Sequence, residues 1–163
     1  MHLKTQRGFG LGLGGSASDL VVPVVIVVVL GLIAYPVFDE YRARARVAAA
    51  MTWVASAKVA VEKAFVTKGP ADMSQSTVTG WSAPVASEHL QLLAISKQGV
   101  IIMRFADSIA PQRNNELHIV PVAGGKALDL SVASNAGRSI EWQCGGPAGK
   151  TTLPEKLRPT DCR

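Results

Sequence analysis

Residues 20–38 have the sequence LVVPVVIVVVLGLIAYPVF, which contains no charged side chain. Asp19 stands immediately before this stretch, and only 19 residues precede Leu20. As a helix the stretch would be about 28 Å long, close to the hydrocarbon thickness of a bilayer. Its many β-branched residues suit a strand in water, but in lipid the backbone must satisfy its own hydrogen bonds, which favours a helix. We predict a membrane-spanning helix that anchors the rest of the chain.

The helical pattern continues beyond the apolar stretch. Residues 39–66 are rich in alanine and contain neither glycine nor proline, and Lys68-Gly69-Pro70 is expected to end the helix. The sequence therefore predicts one helix of about 45 residues, apolar all round in its first part and on one face in its second. Bends or local melting are expected at Pro23 and Pro36, since each lacks a backbone donor. The apolar face of the second part recurs at spacings of three and four: Val47, Met51, Val54, Ala57, Val61 and Phe65.

Short apolar runs replace the helical pattern after a connection rich in serine, threonine, glycine and proline. Two of these runs flank Lys97-Gln98 and predict a β-hairpin. Several strands after one long helix predict an α+β fold, in which an antiparallel sheet of about four strands packs on the apolar face of the helix. The predicted strands are residues 89–96, 99–106, 116–123 and 139–144, and residues 127–134 form either a further strand or an extended loop.

Charge and motif content argue against an enzyme. The net charge of +5 is modest and its one cluster is Arg42, Arg44 and Arg46, which permits weak contact with DNA or an anionic surface and no more. The three histidines are isolated from one another and from the cysteines, so neither a metal site nor a cofactor is expected. The glycine-rich stretch before residue 20 lacks the Lys-Ser/Thr ending of a phosphate-binding loop.

Two cysteines, Cys144 and Cys162, lie near the C-terminus. If the domain is exported, they can form one disulfide, whereas in the cytosol they would stay as free thiols. Trp142 precedes Cys144 by two residues and is expected to pack on the sheet. Trp53, on the predicted helix, is also expected to pack.

Two motifs resemble the type IV pilin family. Residues 35–47, YPVFDEYRARARV, are similar to the middle of the long helix that these pilins share. At the C-terminus, Ile140–Cys144 (IEWQC), Leu153-Pro154 and Pro159–Arg163 (PTDCR) resemble the closing region of type IVa pilins. That region is bounded by a disulfide, so the resemblance implies that Cys144 and Cys162 are bonded.

The resemblance also implies processing of the N-terminus. Residues 1–14 would be a leader that a prepilin peptidase removes between Gly14 and Gly15, and the new N-terminal Gly15 would be methylated. Residues 15–38 would then form the transmembrane and filament-core helix, and residues 39–163 the globular domain with the second half of the helix. A competing junction, Arg7-Gly8-Phe9, would place Leu13 where the family has an acid.

Cleavage at Gly14 puts Asp19 at the position of the family's acid. A carboxylate at the edge of an apolar span needs a partner. The amine of Gly15 in a neighbouring subunit is one partner, which gives Asp19 a role in charge pairing between subunits. Alternatively, Asp19 lies at the headgroup level and caps its own helix.

By this resemblance the chain is a structural subunit of a type IV pilus, serving adhesion, surface motility or DNA uptake. Its partners would be further copies of itself, the prepilin peptidase, the inner-membrane assembly machinery and, before assembly, membrane lipid. The precursor would reside in the inner membrane and the product in an extracellular fimbrium. The alternatives are a minor pilin or a type II secretion pseudopilin and, from another class, an anchored single-span binding domain that never polymerises.

Overall fold

The computed structural model describes residues 17–146 and 148–163, with backbone only at residues 17–20 and 34–37. The chain forms two units, Met1–Asp39 and Glu40–Arg163. Helix α1 occupies Ala17–Lys68, so the predicted long helix is confirmed. Helical backbone continues through Pro23 and Pro36, and the local melting predicted there is wrong.

The C-terminal end of α1 follows from its last residues. Gly69 has a φ of 75°, a left-handed conformation that glycine adopts without a steric penalty. Its N–H donates to the carbonyl of Phe65 at 3.0 Å, which satisfies one of the helix's last acceptors. The Lys68 ammonium donates to the carbonyls of Thr77 and Val78, both at 2.7 Å. Those residues belong to the short helix α2, Ser76–Thr79, which is thereby fastened to the end of α1.

One face of the second part of α1 forms the helical side of the core. The predicted face is confirmed, with Met51 only half-buried and the other members buried. Alanines complete the row and allow the helix to approach the sheet closely. The buried helical residues are Ala43, Val47, Ala50, Val54, Ala57, Val61, Ala64 and Phe65.

The sheet is antiparallel and confirms the predicted α+β class. Strand β3 pairs with β2, β4 and β5, and β1 pairs with β2 only. Residues 127–134 prove to be mainly loop, since only Ala127 lies in a strand and Ala133–Asn135 form a 3-10 turn. The strands are β1 (Leu90–Ile95), β2 (Ile101–Phe105), β3 (Glu116–Ala123), β4 (Lys126–Ala127) and β5 (Glu141–Cys144).

The predicted hairpin joins β1 to β2. Ser96 donates its backbone N–H to Val100 at 2.8 Å, and Gly99 turns the chain with a φ of 88°. A Cβ on Gly99 would lie 2.5 Å from Cδ1 of Leu130, which is fully buried. Both the backbone conformation and the close contact therefore require glycine at this position.

Candidate functional site

The residues predicted for processing lie at the N-terminus. Gly14 and Gly15, and with them the competing Gly8, fall outside the described residues. The backbone of Asp19 lies in the first turn of α1, which begins at Ala17. The predicted roles of these residues therefore stay predictions.

The side chains of residues 21–33 are exposed along α1. Their large apolar members range from Val29, 47 % exposed, to Leu32, 72 % exposed. Within the described part of the chain, α1 alone is long and apolar enough to cross a membrane, judged by length and composition. So much exposed apolar surface requires a covering, either lipid or other protein.

A second exposed row lies on the part of α1 that belongs to the globular unit. Its members follow one another at spacings of four and three, as the core row does, but they point away from the sheet. None of them is charged, although Thr52 is polar, so an uncharged exposed row accompanies the one apolar face that packs on the sheet. We call this row the outer helix face: Tyr41, Ala45, Ala48, Thr52, Ala55 and Val59.

Trp53 flanks the outer helix face. Its side chain is 52 % exposed, so the predicted packing of Trp53 within the subunit is wrong. The sequence did not reveal these exposed residues, because alanine, threonine and valine on a helix are compatible with either a buried or an exposed face.

The C-terminal region closes on the core through the disulfide Cys144–Cys162, which confirms the predicted pair. Cys162 is fully buried in the 3-10 turn Thr160–Cys162, and Cys144 ends β5. We call residues 145–161, which the disulfide closes, the bridged loop. Its Leu153 and Leu157 are buried in the same core as α1. The loop is therefore part of the packed structure and not an appendage.

Glycine and arginine hold the bridged loop in place. Gly145 follows Cys144 with a φ of 71°, and a Cβ there would overlap the carbonyl of Cys162. The Arg158 guanidinium donates to the carbonyl of Leu153 at 2.7 Å and to that of Gly145 at 3.3 Å. These bonds satisfy two backbone carbonyls of the loop.

The segment Thr151–Leu153 pairs with the beginning of β3. The backbone N–H of Leu153 donates to the Glu116 carbonyl at 2.9 Å, and the N–H of Glu116 donates to Thr152 Oγ1 at 3.1 Å. Thr151 Oγ1 accepts from the N–H of His118 at 3.0 Å. No pattern in the sequence predicts this pairing, since the threonines contact β3 partly through their hydroxyls.

Charged groups connect the bridged loop to the start of the globular part of α1. Arg44 Nη2 lies 2.5 Å from Glu40 Oε1, and Lys156 Nζ lies 3.7 Å from Glu40 Oε2. Arg44 Nε also donates to the carbonyl of Lys156. Exposed pairs of this kind contribute little individually, about 0–1 kcal/mol each, so this cluster orients the loop more than it stabilises it.

A second polar connection joins α1 to β5. Trp142 Nε1 donates to Glu62 Oε1 at 2.5 Å, and Lys58 Nζ lies 5.6 Å from the centroid of the Trp142 ring. Burial lowers the pKa of the Lys58 ammonium, and the carboxylates of Glu62 and Asp161 partly offset that effect. The predicted packing of Trp142 is confirmed, since its half-buried ring lies against the core.

Glu116 on β3 is the carboxylate most tightly held in the sheet. Arg104 donates to its Oε1 through Nε at 2.9 Å and Nη2 at 2.6 Å, and His118 Nε2 lies 3.2 Å from Oε2. The hydrogen bonds from Arg104, helped by His118, lower the pKa of Glu116 from its ordinary 4.5, although burial opposes them. Because the folded pKa lies below the unfolded one, the ionised carboxylate stabilises the fold above about pH 4.5, and this is lost as pH falls through the folded pKa.

Replacing Glu116 with glutamine should remove this pH-dependent contribution. At pH 7 the variant is expected to lose about 0.5–1 kcal/mol of unfolding free energy, and the deficit should shrink as the pH is lowered from about 5 to about 3. Denaturant unfolding of the full chain in detergent, followed across this range, measures the effect. E141Q, at an exposed position of β5, is the matched control. A deficit of E116Q that is the same at pH 3 and pH 7 would contradict the assigned role.

Comparisons with known proteins agree with this arrangement. A family profile described as Pilin (bacterial filament) matches residues 43–163. The fimbrial protein EcpC of Eikenella corrodens is 26 % identical over 160 residues, covering 97 % of this chain and 94 % of that protein. The type IV major pilin protein PilE1 of Neisseria gonorrhoeae is 27 % identical over 148 residues, covering 90 % and 79 %. The crystal structure of a type IV pilin from Pseudomonas aeruginosa strain Pa110594 superposes with a TM-score of 0.55 at 21 % identity, covering 74 % of this chain and 97 % of that one.

Proposed function

Because the chain belongs to the pilin family of bacterial filament proteins, we propose that it polymerises as the major subunit of a type IV pilus. The function is structural and not enzymatic. The observation that supports polymerisation is that α1 carries two uncovered apolar surfaces, the side chains of residues 21–33 and the outer helix face. Each surface is satisfied by a helix of another copy.

The outer helix face suits a second helix. Ala45, Ala48 and Ala55 are small, and small residues allow two helix backbones to approach closely. Tyr41 is 70 % exposed and Val59 is 63 % exposed, which supplies apolar area to be buried.

The precursor is proposed to wait in the inner membrane, with residues 20–38 in lipid. A prepilin peptidase removes residues 1–14 and leaves a methylated Gly15. Asp19 then pairs with the amine of Gly15 in a neighbouring subunit. The assembly machinery transfers the helix from lipid to a bundle of like helices, so the apolar surface stays out of water throughout.

Contacts between subunits are proposed to be head-to-tail and open-ended, which produces a fibre and not a closed ring. The globular part of each subunit then forms the outside of an extracellular pilus. Adhesion, surface motility or DNA uptake would act there. The net charge of the whole chain, +5, supports at most weak contact with DNA or an anionic surface.

One observation favours a minor pilin or a pseudopilin as the second candidate. Residues 15–18 have the sequence GSAS, which departs from the Phe-Thr-Leu-Ile-like start that pilins usually have. A subunit with such a start would begin or cap a filament and be scarce in it. An anchored domain that never polymerises would leave the outer helix face unexplained.

The test is the intact mass and N-terminal sequence of the chain in sheared cell-surface material. We expect the most abundant protein to have 149 residues, the 163-residue chain less its 14-residue leader, and to begin with methylated Gly15. A processed chain present only in traces would indicate a minor pilin. An unprocessed chain confined to the membrane would contradict polymerisation, and a start at Phe9 would contradict the role of Asp19.

A further inference from the structure

Strand β1 has an open edge in the described part of the chain. Phe105 donates its N–H to Asn115, on the β3 side of β2, so Ile102 and Arg104 turn toward β1. Their partners Ala94 and Leu92 therefore use their backbone groups within the sheet. The alternate residues Leu93 and Ile95 direct their backbone N–H and C=O groups away from β2, and no described strand pairs with them there.

This edge carries neither a charged side chain nor a proline, two of the features that protect edge strands. Natural sheets guard an open edge with charges, prolines or a covering element, since unpaired backbone groups otherwise recruit another chain. β1 has the sequence LQLLAI, without charge or proline, and its one irregularity is a bulge between Leu90 and Leu92. Among aspartate, glutamate, lysine and arginine, only Glu88 occurs from 73 to 96, in a chain where these four make up 18 % of residues.

A groove runs beside the open edge. It has a volume of about 400 Å³ and lies between residues 92–95 of β1 and the segment from Ser74 to Ala83. Trp81 supplies an aromatic wall, and Ser74, Ser76 and Thr79 supply hydroxyl groups. No charged side chain lines it. An extended, uncharged peptide that pairs with β1 fits this chemistry.

The chain itself carries a segment of that kind. Residues 82–87, SAPVAS, form neither helix nor strand, and the backbone groups of residues 82–86 make no hydrogen bond within the described structure. Pro84 favours an extended conformation at Ala83. Val85 is 91 % exposed, the highest exposure among the large apolar side chains described. The segment is uncharged, as the groove is.

The occupant must come from another molecule. Ser82 and Ala83 form the wall of the groove opposite β1. A chain that inserted its own residues 84–87 would pull Ser82 and Ala83 away from the groove and lose that wall. A second copy meets no such conflict.

We propose that residues 84–87 of one subunit add as a strand to the β1 edge of a neighbouring subunit, with Val85 buried at the contact. This inference rests on the proposed polymerisation, and it names one contact between globular units. The contact joins two different surfaces, so it repeats without closing. Each subunit uses its groove once and its segment once.

Cysteines at the two surfaces test the contact. In the variant V85C/L92C both introduced thiols are exposed, since Leu92 is 40 % exposed. Sheared filaments treated with a short bismaleimide should give a ladder of dimers and higher species on denaturing gels. V85C or L92C alone has one introduced thiol per subunit and can give nothing larger than a dimer. Its dimer yield should be at least about tenfold lower than the yield of cross-linked species from the double variant, since only thiols held at the contact have a high effective concentration. V85C/V132C, which uses an exposed position outside the groove, should give no ladder.

A charged variant provides a second measurement. L92K places a charge at the open edge and should lower the amount of sheared filament at unchanged precursor level, whereas V132K should not. Filaments of V85C/L92C without a ladder, or dimers from V85C alone at the yield of the double variant, would overturn the β1 contact and leave polymerisation intact. Absence of filaments from the unsubstituted chain would overturn both proposals.

Discussion

Replacing Asp19 with alanine is expected to reduce surface filaments at least about tenfold while the membrane-bound precursor remains at its normal level. Truncating one partner of a buried charge pair costs about 2–5 kcal/mol, and every subunit in the filament would pay it. The precursor is unaffected because a single span is inserted by its apolar length, which Asp19 does not change. Sheared protein relative to membrane precursor, measured by immunoblot, gives the effect.

Two further substitutions separate pairing between subunits from capping of the helix. D19N keeps a side chain that caps a helix but removes the charge, whereas D19E keeps the charge. Pairing predicts that D19N fails like the alanine variant and that D19E assembles. Normal piliation of D19N would show that Asp19 serves only its own helix, whose first turn contains it.

Replacing Cys144 with serine is expected to lower the unfolding free energy by about 3 kcal/mol, because the bridge closes a loop of 17 residues in the unfolded chain. Such a loss is a large part of a typical stability of about 5–15 kcal/mol, so the abundance of the subunit should fall as well. Leu153 and Leu157 should become accessible, since they reach the core through this loop. Denaturant unfolding of the full chain in detergent, without reductant, measures the difference.

The unsubstituted chain in reductant is the matched control. Its stability should fall to within about 1 kcal/mol of that of C144S, because both lack only the cross-link. C144S in reductant should show no further loss. Labelling of both cysteines by a maleimide in the exported, unreduced protein would contradict the disulfide altogether.

The sequence was informative where a local rule determines the structure. Lys68-Gly69-Pro70 ends α1 because glycine adopts the left-handed conformation and proline cannot continue the helix. The hairpin at residues 97–99 and the strand at 116–123 follow likewise from turn residues and apolar runs. In each case the residues that carry the signal are also those that make the structure.

The sequence was less informative where partners lie far apart in the chain. Thr151–Leu153 pair with the edge of β3 partly through hydroxyl groups, and no periodicity in the sequence predicts such a pairing. Trp53 was expected to pack because it is an aromatic residue on a helix. It is exposed because the opposite face of α1 forms the core. The outer helix face was overlooked for the same reason. Alanine is compatible with a buried or an exposed position, so the sequence does not show which face of α1 the sheet covers.

The pairing of Thr151–Leu153 with β3 has a consequence for the order of events while the chain is being made. α1 is synthesised and exported before residues 151–163. Contacts between the two are distant in sequence, and Arg44 and Lys156, which share a hydrogen bond, are 112 positions apart. β3 cannot pair with Thr151–Leu153 until those residues have been made. The buried face of α1 likewise stays partly uncovered until Leu153 and Leu157 reach the core. Late contacts of this separation slow folding and leave the buried row of α1 in water meanwhile. The nascent subunit is thus vulnerable to proteases and aggregation until residues 151–163 have packed onto α1 and β3.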